Sequence, residues 1–376
     1  MRCLDSRNVL TGPVASMEQV VIAIEPLRIG IVGAGRIAEA HFGAYRRLPG
    51  SAVVRAIVSS TRERAVDRAH GWGVKHAYSS IDELFKQNAV DAVDICVPHH
   101  LHRYAVQRAC EHGKHILLEK PIARSVEEAD QILGDVERAG VVLMVAHNHL
   151  FNPLIQKAKA ILDEGLIGDV YLFSAISSGW FLFSKDDFRK SSEQTGGGAF
   201  IDTGTHFVYV LQYLLGSICS VAAEMGRRVR DDMGGEDTAI VTMRVESGVL
   251  GSVTVTYASK VPSWKCGFPD GWVQSLDIFG TAGTLRISLT QNKLVLFSEG
   301  RAPPESSELA PGWIEIGVNN AYERSYNAMV AHFVESVRSG EPPRVGGKEG
   351  RLTLEVIDAV HRSATDGRAV RIGRSP

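Results

Sequence analysis

No apolar run in the 376 residues approaches the roughly 18 that a membrane-spanning helix needs, so the chain offers no transmembrane segment and no membrane partner is expected. Basic excess is also missing. The 41 Lys and Arg residues are balanced by 43 Asp and Glu, a formal charge of −2, which removes the electrostatic footprint of a nucleic-acid binder. The five cysteines (Cys3, Cys96, Cys110, Cys219 and Cys266) are odd in number and widely spaced. No pair shows metal-ligand spacing, which leaves no disulfide framework and fits a reducing, cytoplasmic compartment. Cys96 lies in an apolar run and reads as a small core residue. There is no internal repeat and no low-complexity stretch. Residues 1–25 lack a signal peptide's apolar core, because Asp5, Arg7, Glu18 and Glu25 interrupt it. They read as a loosely attached extension, with Met17 as an alternative start.

What is present is ordinary for a folded protein: 44% hydrophobic and 22% charged residues in a length that suits two domains. From Leu27 to Ala146 short apolar runs alternate with helical spacing. Strands are expected at 27–32, 53–58, 92–97, 115–118 and 141–146, with helices at 37–48, 62–70, 81–87, 102–111 and 126–139. Such alternation implies parallel βαβ units wound right-handedly. After a helix at 153–164 the pattern changes to seven longer alternating strands between 170 and 297, interrupted by a helix at 204–215. These suit a mostly antiparallel sheet with one open face. Helices at 322–339 and 352–365 close the chain, and 299–311 reads as a surface loop. The fold expected is an α/β Rossmann domain over 26–148 followed by an α+β domain over 149–376.

Gly33-Ala34-Gly35-Arg36-Ile37-Ala38 follows the first strand and opens a helix. Gly33 permits the tight turn, Gly35 lets backbone approach a pyrophosphate, and Ala38 lets helix and strand pack closely. The free N–H groups at the helix start, at Arg36 and Ile37, then face the anion. In NAD-binding versions a carboxylate about 20 residues on holds the ribose 2′-OH. Here the strand tip reads Ser59-Ser60-Thr61-Arg62, without one. Hydroxyls and Arg62 suit a 2′-phosphate, so the cofactor expected is NAD(P)(H), with NADP ahead of NAD.

The strand at 115–118 ends in Glu119-Lys120-Pro121. Ligands of such sheets bind beyond the carboxyl ends of the strands, which places Lys120 at the cofactor crevice. Further on, Gly196-Gly197-Gly198 precedes Asp202 and His206, four apart at a helix start and so on one face. Histidine titrates near neutrality and is a natural proton acceptor in alcohol oxidation. Taken alone, Lys120 could equally be a surface lysine, Asp202 a helix cap and His206 a satisfied semi-buried side chain.

The ordered set resembles the glucose–fructose oxidoreductase / inositol dehydrogenase (Gfo/Idh/MocA) family. The resemblance is carried by the glycine turn, Pro98-His99-His100-Leu101-His102, Gly113 to Pro121, Asp202-Thr203-Gly204-Thr205-His206, Ile278 to Leu285 and Ser363 to Ile372. It covers nearly the whole chain from about residue 26. It implies NAD(P) bound in the first domain, with Pro98, His102 and Glu119 joining the cofactor site. It also implies a second domain whose open sheet makes homodimer or homotetramer contacts, and a sugar, glycoside or cyclitol as substrate. The family's catalytic lysine falls on Lys120 and its aspartate–histidine pair on Asp202 and His206. His99 stands where the family often has Asn or Thr, and His149 where many relatives place arginine. His99, Asn148, His149, Trp180 and Arg189 are therefore the candidate substrate contacts.

His99, His100, His102, His147 and His149 are rich in metal-ligand atoms, but they lie at strand ends facing the crevice, so substrate contacts rather than a metal are expected there. Trp264 and Trp272 sit in a proline-containing loop and read as core or subunit contacts. The reaction expected is reversible oxidation of a secondary hydroxyl. His206 takes the proton, Lys120 assists and Asp202 binds and orients the substrate. Two alternatives keep the fold. One is transient sugar oxidation by a retained cofactor during elimination or glycoside cleavage. The other is a non-catalytic dinucleotide-sensing regulator.

Overall fold

A computed structural model describes residues 25–260, 272–299, 307–310 and 313–373. The extension at 1–24 with Met17, together with Cys3, Cys266 and Trp264, lies outside the described residues.

The first half folds as the alternation requires. Strands β1 (Leu27–Val32), β2 (Ala52–Val58), β3 (His76–Tyr78), β4 (Ala92–Ile95), β5 (His115–Leu118) and β6 (Leu143–Val145) form one sheet, ordered β3-β2-β1-β4-β5-β6. Every pairing in it is parallel. The central strands are apolar runs because helices cover both faces: α1 (Arg36–Tyr45), α2 (Arg62–Trp72), α3 (Ile81–Lys86), α4 (His102–Glu111) and α5 (Val126–Ala139). Three of these helices start where a hydroxyl can cap them. Thr61, Ser80 and Ser125 accept the N–H groups of Arg64, Glu83 and Glu128.

Helix α6 (Pro153–Asp163) leads into the second sheet: β7 (Val170–Ser178), then α7 (Ser192–Thr195) and α8 (Thr205–Leu215), then β8 (Ile218–Gly226), β9 (Thr238–Val245), β10 (Leu250–Thr256), β11 (Val273–Gly280), β12 (Gly283–Ser288), β13 (Lys293–Ser298), β14 (Ser307–Ala310) and β15 (Trp313–Gly317). After α9 (Ala321–Ser339) and α10 (Gly347–Asp366), β16 (Val370–Arg371) completes ten strands ordered β14-β15-β13-β12-β11-β7-β10-β9-β8-β16. The sheet is antiparallel except where β10 runs parallel to β7. One face packs on α6 and α10, which α8 joins by packing on both. The other carries Leu172, Ile176, Ile240 and Leu250 exposed. Among the described residues no helix is long and apolar enough to cross a membrane.

The C-terminal helices join the two sheets. α9 packs on α1, and α10 on α5 and β8. The helix expected at 352–365 begins earlier, at Gly347, because its first turn passes close to the parallel sheet. A Cβ on Gly347 would stand 2.4 Å from Leu133 Cδ2, and one on Gly350 2.8 Å from Val145 Cγ2. The expected loop at 299–311 contains β14, which pairs with β15. Trp272 is buried core, with its ring 4.4 Å from Phe181.

Candidate active site

The glycine turn has the geometry that an anion cradle needs. Gly33 has φ +108°, and a Cβ there would lie 2.3 Å from the carbonyl oxygen of Cys96, so any side chain would force that backbone to shift. Helix α1 starts after Gly35 without a side-chain cap, so its first N–H groups stay available. A Cβ on Gly35 would meet nothing within 4 Å, which leaves open space on the side a phosphate would approach. Ala38 is fully buried against the strand. At the tip after β2, Ser59 is buried and its N–H bonds the carbonyl of Tyr78 at 3.2 Å. Ser60 accepts from Arg64 Nη1 at 3.4 Å, and Arg62 pairs with Glu83 at 3.5 Å. Pro98 opens a helical turn over His99–Leu101, facing the same edge of the sheet.

Lys120 and Asp202 meet directly. Lys120 Nζ donates to the carbonyl oxygen of Asp202 at 2.7 Å and to its Oδ1 at 3.0 Å. The peptide between Lys120 and Pro121 is cis. Asp202 sits in a single π-helical turn, Phe200–Gly204, that leads into α8. Such turns recur at functional sites. The turn carries the chain from Asp202 into the start of α8, and the charges of Lys120 and Asp202 both act on His206. The carboxylate of Asp202 is fully engaged: its Oδ2 accepts Arg189 Nε at 2.6 Å and the Tyr257 hydroxyl at 2.8 Å. Burial works to raise its pKa, but Arg189 and Lys120 outweigh it and hold the carboxyl well below the usual range.

His206 has a partner of its own. Its Nδ1 lies 2.6 Å from the Tyr209 hydroxyl, which also accepts the His149 N–H at 3.3 Å. Burial and the positive charge of Lys120 push its pKa well below 6.5. His99, His147 and His149 are pushed down to about 3, first by burial. His149 stands edge-on to His206 at 4.6 Å, and the two rings with Gln274 line a small internal cavity. His147 stacks on Tyr209 at 4.0 Å. His99 Nδ1 lies 2.9 Å from the carbonyl oxygen of Thr195, and its ring meets Phe188 beside Arg189. A wall of neutral imidazoles therefore borders one charged knot.

Three of the expected contacts have protein partners of their own. His102 is fully buried, with Nδ1 2.9 Å from the carbonyl of Pro121 and Nε2 3.0 Å from that of Val97. It ties the two loops together. Asn148 is buried and donates to Ser325 Oγ on α9 at 3.1 Å. Trp180 is engaged by the cations of Arg230 and Lys260, at 4.7 and 5.1 Å from its ring. The aromatic side of Asp202 is formed instead by Tyr257, with Phe181 against it at 4.8 Å.

Sequence reasoning missed Tyr257, Tyr209 and Glu236. Glu236 Oε1 accepts the N–H of Phe200 at 2.8 Å and so anchors the start of the π-helical turn, where Gly198 admits the approach. Tyr257 and Glu236 come from segments remote from the residues they serve, and Tyr209, three residues past His206, reads in the sequence as one more apolar position of α8. Among the described residues one cluster brings three donor atoms within 4.8 Å, and it is His41, Asp94 and Cys96 in the first half.

Two family models match. The one described as the oxidoreductase family with NAD-binding Rossmann fold covers residues 27–147, and the Gfo/Idh/MocA C-terminal domain covers residues 155–286. The chain is 28% identical to a D-apiose dehydrogenase of Rhizobium rhizogenes, over 92% of its own length and 98% of the relative's. It is 26% identical to a myo-inositol 2-dehydrogenase of Thermotoga maritima over the same shares. An oxidoreductase of Agrobacterium radiobacter, solved with NAD+, L-tartaric acid and magnesium, superposes with a TM-score of 0.78 at 26% identity, over 92% of this chain and 98% of that one. With both halves matched, and with the glycine turn, Lys120, Asp202 and His206 gathered at one sheet edge, the chain belongs to the Gfo/Idh/MocA oxidoreductase family.

Proposed function

We propose that the protein is an NAD(P)-dependent dehydrogenase that interconverts a secondary hydroxyl and a ketone on a sugar, glycoside or cyclitol. The observation that carries this reading is the Lys120–Asp202 pair, set beside neutral His206 at the edge of the sheet where the glycine turn opens. The relatives named for apiose and inositol support the substrate class.

Gly33, Gly35 and the N–H groups at Arg36 and Ile37 would hold the pyrophosphate, with Pro98, Glu119 and Lys120 towards the nicotinamide end. When bound, the nicotinamide supplies hydride acceptance or donation. His206 is the proton acceptor. With Nδ1–H donated to the Tyr209 oxygen, Nε2 keeps its lone pair for a substrate hydroxyl. Lys120 places a cation beside the oxygen on which negative charge develops. Asp202, with its oxygens spent on Lys120, Arg189 and Tyr257, acts by fixing those donors. It then meets the substrate as part of that group. Arg189, His99 and His149 line the approach.

The finer points follow from the same residues. Ser59, Ser60 and Arg62, with no acidic residue at the strand tip, favour NADP over NAD. A ratio of dissociation constants that favours NAD would overturn that preference. Exposed Leu172, Ile176, Ile240 and Leu250 lie on neighbouring strands of the open face and support a homodimer or homotetramer through that sheet. The free thiols Cys96, Cys110 and Cys219 suit a reducing, cytoplasmic setting. The division we propose is a dinucleotide-binding domain over 26–148 and a substrate-binding and oligomerisation domain over 149–376.

The test is a screen of hexoses, amino sugars, glycosides and inositols with both cofactors, read as absorbance of the reduced nicotinamide. Lys120→Met and His206→Ala should each lower turnover by about 10²–10⁴-fold, the worth of a positioned proton-transfer group. Near wild-type rates in either would overturn the role assigned to it.

A further inference from the structure

His41 of α1 is fully buried and lies between two carboxylates that arrive from different strands. Its Nδ1 is 2.9 Å from Asp94 Oδ2 and 3.0 Å from Oδ1, at the end of β4. Its Nε2 is 3.1 Å from Glu119 Oε1, just past β5. A neutral imidazole has one N–H, yet both nitrogens face carboxylate oxygens. An imidazolium donating both ways satisfies the arrangement with both carboxylates charged. Burial opposes that charge, and Asp94 outweighs it to raise the pKa. The other groups around the ring are the Cys96 thiol, which donates to Asp94 Oδ1 at 3.3 Å, the phenols of Tyr45 and Tyr322, and the ring of Tyr326 at 5.4 Å. A metal is not favoured here, since both histidine nitrogens are spent on carboxylates and burial keeps the thiol protonated.

The remaining oxygen of Glu119 accepts the backbone N–H of Lys120 at 3.1 Å. A continuous chain therefore runs from Asp94 through His41 and Glu119 to Lys120, whose Nζ ends on Asp202. The helix that carries His41 is the one that opens at the glycine turn. Buried ion clusters are seldom worth more to stability than apolar packing, so an ion chain ending on the catalytic lysine calls for a positional role.

We propose that His41 is a positioning residue for Lys120. It clamps the Glu119 carboxylate in place and so ties the phosphate-binding helix to the lysine. The inference rests on the reading of Lys120 as the group beside the reacting carbon, but its test does not need turnover. In the full chain without substrate, Lys120 is labelled with acetic anhydride and quantified by mass spectrometry of its peptide. His41→Asn keeps a donor where Nδ1 stood and loses the reach to Glu119. His41→Gln keeps a donor where Nε2 stood and loses Asp94. Labelling of Lys120 should quicken about tenfold or more in H41N, the scale of a lost hydrogen bond to a charged group, and by less than about threefold in H41Q. Thermal midpoints are recorded for both. A merely structural histidine would quicken labelling equally in both variants, in step with lost stability, and that result overturns the proposal. So does unchanged labelling in H41N. If H41N does not fold, Glu119→Gln decides: it removes the charge that His41 holds, so unchanged labelling there also overturns the clamp. With a turnover substrate in hand, H41N should lose kcat with little change in KM. Should no substrate turn over, the labelling contrast between H41N and H41Q still stands, so failure of the dehydrogenase reading is distinguishable from failure of the clamp.

Discussion

Replacing Asp202 by asparagine tests the knot at the centre of the site. The wild-type carboxylate accepts from Lys120, Arg189 and Tyr257 at 2.6–3.0 Å and is 5% exposed. Asparagine keeps the shape, removes the charge and turns one acceptor into a donor that faces donors. Arg189 retains Asp187 at 3.3 Å, while Lys120 retains only the Asp202 carbonyl. Breaking a buried pair from one side costs about 3–5 kcal/mol. The partners are 15% and 25% exposed, so the lower end, ~3 kcal/mol, is appropriate. An unfolding entropy of about 2.1 cal/mol/K per residue over 376 residues turns that into a fall of about 4 °C in Tm. Differential scanning calorimetry measures it, with Asp277→Asn as the control. That carboxylate pairs with Arg286 at an exposed site, where about 1 kcal/mol or less is at stake. The pH dependence has a definite sign. A carboxyl whose folded pKa is depressed contributes stability that is present above its unfolded pKa and is lost as pH falls through the folded value. Because that value lies well below 3.8, the D202N deficit should stay constant from pH 5 to 9. A Tm change no larger than that of D277N, or a deficit that shrinks on approach to pH 5, would refute the reasoning.

Gly33→Ala should fold but bind NADH at least about tenfold more weakly by fluorescence titration. The φ of +108° alone costs about 1–2 kcal/mol for a residue with a Cβ, and the Cys96 carbonyl must also move. Tyr209→Phe removes the partner of both His206 Nδ1 and the His149 N–H. Stability should drop by about 1–3 kcal/mol for the buried donor left unpaired, and kcat should fall while KM holds. Lowering the pH from 6.5 to 5 should destabilise the protein. His99, His147, His149 and His206 stay neutral when folded and take up protons when unfolded, whereas His41, with its raised pKa, affects stability only above 6.5. In urea titrations His147→Phe should reduce that slope by about 1.4 kcal/mol per pH unit, the share of one proton; an unaltered slope would count against a neutral His147.

Much of the fold could be read from the chain because parallel strands covered on both faces must be continuous apolar runs. His115–Leu118 is one such run, and its bounds were visible. A serine cap opens the helix at Ser80 and a left-handed glycine, Gly113, follows the end of α4. Where these signals lapse, the reading lapses with them. β3, His76–Tyr78, is an edge strand with no buried residue and so no apolar run. The first turn of α10 carries Gly346, Gly347 and Gly350, which look like loop. The glycines are there because a helix passes within 3 Å of where side chains would otherwise sit.

The site divides along a different line. Lys120, Asp202 and His206 stand out through the ordered set of motifs that contains them, since the segment of each, taken alone, reads equally well as structural. What a side chain does there depends on partners that sequence spacing does not constrain. Tyr257 reaches Asp202 from 55 residues away, Glu236 reaches Phe200 from 36, and His41 reaches Glu119 from 78. The same independence explains His102 and Asn148. The side chain of each is bonded to protein groups from other segments, to two carbonyls in one case and to Ser325 in the other. A buried polar group must be paired, and once the nearest partner lies behind the loop, burial settles the direction. Local sequence thus places the chemistry, while the long-range pairs decide which neighbouring polar residues face substrate and which hold the frame. Lys120 belongs to both sets, with its backbone in the frame through Glu119 and its Nζ in the chemistry through Asp202.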